Sequence, residues 1–151
     1  MATVPRLARG FVSATLDDWG LNALTDVTEL LVSELSTNVV RASATPDGDL
    51  RYDDDGKIPL LWIRLLCDRV QLLIEVWDTL PTAFGAPVAR HPEPDEESGR
   101  GLEIIETLAE DWGWEIVPGW AGKKVWAALK VVELVQVAGH GRPPFSARLR
   151  F

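Results

Sequence analysis

A two-layer α/β sandwich with mostly antiparallel strands, α+β in class, is the fold that the sequence predicts. Three observations predict it. Two stretches with helical apolar spacing come first, two pairs of β-rich apolar runs follow, and one further helical stretch separates the pairs. Each pair is joined by a short turn, which makes its members antiparallel neighbours. One domain over residues 1–151 accommodates all of these elements.

Taken in order, Leu7, Phe11, Ala14 and Leu16 recur at roughly helical spacing between Val4 and Trp19, with Gly20 placed to close the first helix. After a linker from Leu21 to Thr25, Asp26, Val27, Thr28 and Glu29 read as a capping box that opens a second helix running to about Ser43. Residues 44–59, ATPDGDLRYDDDGKIP, break the period and predict a solvated loop or a ragged edge hairpin without chemistry. The runs PLLWIRLL and RVQLLIEVW form the first strand pair, around a polar turn at Cys67 and Asp68. From Asp78 to Ser98 the chain is rich in Pro, Gly and acid, long for a plain connection, and suits a lid. Leu102, Ile105, Leu108, Ala109 and Trp112 restore the helical period from 101 to 112, with Gly113 as the cap. WGWEIVP and KKVWAALKVVEL make the second strand pair across the turn PGWAGK. Residues 131–151 are expected to be a peripheral tail, since Pro143 and Pro144 argue against a central strand.

Composition narrows the function classes. At 151 residues, 46% hydrophobic and 25% charged, the chain is able to bury a sizeable core. A net charge of −8 and the lack of clustered Lys and Arg argue against nucleic acid as a direct partner. With one cysteine, Cys67, and two histidines, His91 and His140, neither a disulfide framework nor zinc spacing can be assembled. A reducing cytoplasm is the expected compartment. The N-terminus lacks a long apolar core, and no stretch approaches the roughly 18 apolar residues of a membrane span, so no membrane association is expected. Seven tryptophans, Trp112, Trp114, Trp120 and Trp126 among them, read mainly as core, with partner anchoring as the other use.

Three places carry candidate chemistry. On the second helix Val27, Leu30, Leu31 and Leu35 define an apolar arc that includes Glu34 and Asn38, while Glu29, Ser33 and Ser36 take the far side. A carboxylate and an amide one turn apart on such an arc need polar partners, because burial without them costs several kcal/mol. Asn38 offers a neutral oxygen to a hard cation, and Glu34 can take a proton from a hydroxyl or water; an inter-helix hydrogen bond would satisfy them equally. Asp78 ends the run LLIEVW at a strand exit, where a carboxylate can accept the amine of adenine or simply begin the turn DTLP. In SGRGLEII, Gly99 and Gly101 stand at the entrance of the third helix, where free amides suit phosphate, although Gly-x-Gly is often only a turn. Arg100 adds a cation there, or pairs with the acids of DEES. Neither a Walker A lysine motif nor a full GxGxxG is present, which excludes P-loop and Rossmann sites.

The order ELSTN, IEVWD, GRGLEII and GKKVW resembles the GHKL, or histidine-kinase-like ATPase, superfamily, and within it the compact bacterial anti-sigma-factor serine kinases, over residues 6–130. The resemblance implies a Bergerat-type sandwich that binds ATP and Mg²⁺. It implies that SELSTNVVRAS is the N box, with Asn38 as the Mg²⁺ ligand and Glu34 as the catalytic base. Asp78 would be the adenine-binding aspartate, and Gly99, Arg100, Gly101 and the adjoining Leu102 would form the phosphate-side turn. Lys123 and Lys124 fall in the last conserved-type segment, where such proteins carry GK or GT before apolar residues, so that Lys123 would also contact the nucleotide. The chain departs from the pattern at Val39 and Ala42, which stand where Ala and His are common, and at Leu80, where the aspartate box has Gly. The implied function is a regulatory serine/threonine protein kinase that binds a sigma factor, phosphorylates an anti-anti-sigma protein and forms a homodimer. The alternative is a catalytically weak or inactive nucleotide-sensing protein-interaction module.

Overall fold

The computed structural model describes residues 3–52, 55–68, 70–80, 100–117, 122–131 and 145–151. The lid reading of 81–98, Gly99, Trp120 and most of the PGWAGK turn lie outside the described residues. Helix α1 spans Thr3–Asp18 and α2 spans Thr25–Ala42, joined by a single 3₁₀ turn at Asn22–Leu24. Strands β1 (Leu61–Cys67) and β2 (Gln71–Asp78) follow, then helix α3 (Arg100–Leu108) and strands β3 (Asp111–Ile116), β4 (Lys123–Lys130) and β5 (Phe145–Arg150). All pairings are antiparallel, and the sheet order is β3-β4-β2-β1-β5.

Helix α1 closes as its sequence predicts. Gly20 sits at φ 71°, and its N–H bonds the Asp17 carbonyl while the Leu21 N–H reaches back to Leu16, so both terminal carbonyls are satisfied. Helix α2 starts one residue before the expected cap. Leu24 holds the N-cap position without a side-chain bond, and Asp26 lies in the first turn. The preceding 3₁₀ turn feeds directly into the helix and takes over the role that the capping box was assigned.

The helices cover one face of the sheet. Leu72, Ile74, Val76 and Asp78 of β2 point to them, as do Leu61, Ile63, Leu65 and Cys67 of β1. Against these strands α1 brings Ala8, Val12 and Leu16, α2 brings Leu31, Val32, Leu35 and Val39, and α3 brings Ile105. Burial of this cluster is the main source of stability, at about 1.5–3 kcal/mol per large aliphatic side chain.

Two elements differ from the sequence-based reading. Helix α3 ends at Leu108 instead of Trp112, because Glu110 N–H already bonds the Ala128 carbonyl and Asp111 pairs with Ala128 in the β3–β4 ladder. Gly113 is consequently a strand residue with a packing purpose. A Cβ there would lie 2.8–3.1 Å from three ring atoms of Trp126, so glycine leaves the room that the indole occupies against β3. Within the tail, Phe145–Arg150 forms β5, which pairs with β1 from Cys67↔Phe145 to Trp62↔Arg150 and takes an edge position compatible with the upstream prolines. Phe145 stacks on Trp19 at 5.3 Å between ring centroids, tying this edge to the end of α1. The 44–50 segment is a small hairpin, with one antiparallel bridge between Ala44 and Leu50.

Candidate functional site

The α2 side chains settle which face is buried. Thr28, Leu31, Val32, Leu35, Ser36 and Val39 are covered, whereas Leu30, placed on the arc by the sequence, is 42% exposed. Ser36, expected on the far side, is buried and bonds the Ser33 carbonyl one turn back. The buried arc is thus rotated about the helix axis from the expected one. Glu34 and Asn38 fall on its flank, half-buried. The opposite flank meets α1, where Arg9 donates to Ser33 Oγ at 3.1 Å.

That flank faces the head of α3. A Cβ on Gly101 would lie 2.7 Å from Glu34 Oε2 and 3.5 Å from Asn38 Oδ1, so the first turn of α3 rests directly on both side chains. Any larger residue at 101 would displace the carboxylate. Gly101 is buried and Leu102 packs against the core, while Arg100 opens the helix. The carboxylate of Glu34 and the amide of Asn38 form no hydrogen bond or ion pair with one another or with any other described residue. They meet the first turn of a helix, whose N–H groups have no partner within the helix itself.

Asp78 lies at the exit of β2. It is fully buried on the helix-covered face, fixed by the continuation of the ladder through Thr79, which exchanges bonds with Leu60. Its Oδ1 accepts the Leu80 N–H at 3.0 Å, the Asx turn that a strand-end aspartate begins. It also accepts from Lys123 Nζ at 3.0 Å, with Lys123 directly opposite in the β2–β4 register. The same ammonium lies 2.9 Å from Oδ2, an ionic contact without hydrogen-bond alignment, so Oδ2 remains a buried acceptor lacking a hydrogen bond. Burial raises the Asp78 carboxyl above the ordinary aspartate range, opposed by the Lys123 charge and hydrogen bond and by the Leu80 amide.

The sequence-predicted residues therefore assemble as two clusters on the helix-covered side of the sheet: Glu34, Asn38 and Gly101, and Asp78 with Lys123. Lys123, assigned to the nucleotide by resemblance, has its ammonium on Asp78. The pairing was not legible in sequence, since the residues are 45 positions apart; the register of two strands separated by a helix would have been the only signal. Also missed was Glu75, buried on the opposite sheet face, where it accepts from Arg64 Nε at 2.6 Å and Trp77 Nε1 at 3.1 Å and pairs with Lys124. Its interruption of the run LLIEVW was the available signal. Burial, with the Asp68 charge adding, pushes the Cys67 thiol up to about 11, so it stays protonated and inert at neutral pH.

A five-stranded antiparallel sheet with its helices on one face, a polar pair on α2 against the glycine start of α3 and a buried strand-end carboxylate defines a one-sided α+β sandwich domain. The chain belongs to the histidine kinase-like ATPase domain family, whose family model matches residues 2–129. Membership implies ATP binding and accounts for the α+β sandwich. No curated protein matches the chain. Among the described residues, no helix is long and apolar enough to cross a membrane.

Proposed function

We propose that this chain binds Mg-ATP between α2, the head of α3 and the end of β2, and acts as a cytoplasmic serine/threonine protein kinase of the anti-sigma-factor type. The observation that carries the reading is the Glu34–Asn38 pair held against Gly101 with no side-chain partner among the described residues. The residues suit the ligand at both ends. Asp78 Oδ2, in ionic contact with Lys123 but receiving no aligned hydrogen bond, is an acceptor for an exocyclic amine, and the α3 amides at Gly101 and Leu102 suit phosphate.

Among the described residues, no three His, Cys, Asp or Glu side chains come together to hold a metal. A cation here would be shared between Asn38 Oδ1 and ligand oxygens, the usual arrangement for Mg²⁺. Bound Mg-ATP supplies the phosphoryl group and neutralises its charge. Glu34 orients a partner's serine hydroxyl and takes its proton, and Gly101 keeps room for that carboxylate. The proposed partners are a sigma factor, an anti-anti-sigma protein as the phosphorylated substrate, and a second copy of this chain.

A specific observation also favours a nucleotide-sensing module with weak or no catalysis. Leu80 is buried next to Asp78 and its amide occupies Oδ1, which leaves less of the carboxylate for a ligand. Incubation with γ-labelled ATP and a serine-bearing partner separates the readings. Kinase action predicts label transfer that falls at least about 100-fold in Glu34→Gln; ATP binding with no transfer by wild type selects the sensing module.

A further inference from the structure

Resting on the nucleotide reading above, we infer that Lys123 is the base-selectivity residue of the site, turning an adenine-demanding carboxylate into an ion pair that receives either purine. The β4 entry is pressed onto the β2 exit. Gly122 has φ +129°, and a Cβ there would lie 1.9 Å from the Asp78 carbonyl oxygen, so the backbones approach closely enough to seat Lys123 opposite Asp78. Lys123 is 3% exposed and its Nζ lies 2.9–3.0 Å from both carboxylate oxygens, so the cation is a fixed part of the site.

A buried carboxylate by itself offers acceptors only. It takes the amine of adenine and repels the oxo group of guanine, and sites built on one such bond can reject the wrong partner strongly. An ammonium adds donors. Of its three N–H groups, Lys123 uses one in a hydrogen bond to Oδ1; the ammonium also makes ionic contact with Oδ2 at 2.9 Å, and it contacts no further side chain among the described residues. The buried pair therefore combines an acceptor that receives no aligned hydrogen bond, Oδ2, with the remaining N–H donors of Nζ. An amine-bearing purine bonds the first and an oxo-bearing purine the second. Asp78 also has less charge to give the amine, because the ammonium beside it neutralises the carboxylate.

The test is calorimetric titration of Mg-ATP and Mg-GTP into the full chain, as wild type, Lys123→Thr and Lys123→Arg. The wild type should bind the two nucleotides within about 5-fold of each other. Lys123→Thr should favour ATP by at least about 30-fold, and Lys123→Arg should stay near wild type. The ratio within one variant is insensitive to overall stability, and the wild-type ratio decides even if a variant fails to fold. A wild type that prefers ATP by more than about 30-fold overturns the inference and leaves the ATP site standing. Absence of binding by either nucleotide to every folded form overturns both.

Discussion

At the scale of single residues, the two buried acids respond to pH in opposite directions. Asp78 has its carboxyl raised by burial, so its contribution to stability is fully present below the ordinary aspartate range and is lost as pH rises through the raised value. Glu75 is the reverse: burial opposes ionisation, but Arg64, Trp77 and Lys124 outweigh it and lower the carboxyl. Its contribution is present above the ordinary glutamate range and disappears as pH falls through the lowered value. Thermal unfolding of wild type and Glu75→Gln between pH 7 and 3 should therefore show a gap of about 1–3 kcal/mol at neutrality. That gap should close below about pH 4; one that widened on acidification would contradict the network. For the other acid, Asp78→Ala strands a buried ammonium and should cost about 3–5 kcal/mol, of which Asp78→Ala/Lys123→Met should recover a substantial part. Additive losses in that double mutant, read by denaturant unfolding, would mean that the pair is not coupled. The identities of Glu34, Asn38 and Asp78 as polar groups needing partners were legible from their place among apolar neighbours. What each faces was not, because Gly101 and Lys123 come from distant segments.

At the scale of elements, two glycines fix how neighbours pack. Gly113→Ala drives a methyl into the Trp126 ring, and a cost of about 1–3 kcal/mol should lower the melting temperature by several degrees. Gly101→Ala meets the movable end of Glu34, so its stability cost should be under about 1 kcal/mol while nucleotide affinity falls. Unchanged affinity in a folded Gly101→Ala would separate α3 from the site. The existence of α1, α2 and the two strand pairs could be read from periodicity and turn chemistry. Boundaries could not, where tertiary pairing overrides helical spacing: Trp112 continues the α3 period yet is captured by β4, because ladder bonds and the Trp126 contact outweigh four further helical residues. The rotation of the α2 arc has a similar origin, since α1 and α3 cover its two flanks and Leu30 is left outside both.

For the molecule as a whole, the sheet brings together residues that the chain keeps apart. Strands β1 and β2 form the centre with β4, while β3 and β5 take the edges, and the described helices lie on one face. The other face carries stacked Trp62 and Trp77 at 5.9 Å, with Arg64 and Lys124 over the Trp77 ring. The fold class was legible because a βαβ-poor order of paired strands leaves few alternatives to a one-sided sandwich. The β5 strand was not, since its alternation is short and follows two prolines; only its pairing with β1 identifies it. The proposed Mg-ATP site lies between α2, the head of α3 and the end of β2, with Asn38 on the metal side. Its most direct test is the unfolding temperature of wild type and Asn38→Ala, each with ATP alone and with ATP plus Mg²⁺. Wild type should be stabilised by Mg-ATP, by about 2.7 kcal/mol once ligand reaches 100 times Kd, whereas Asn38→Ala should respond equally with and without the metal. A wild type whose unfolding is unmoved by millimolar Mg-ATP would contradict the account.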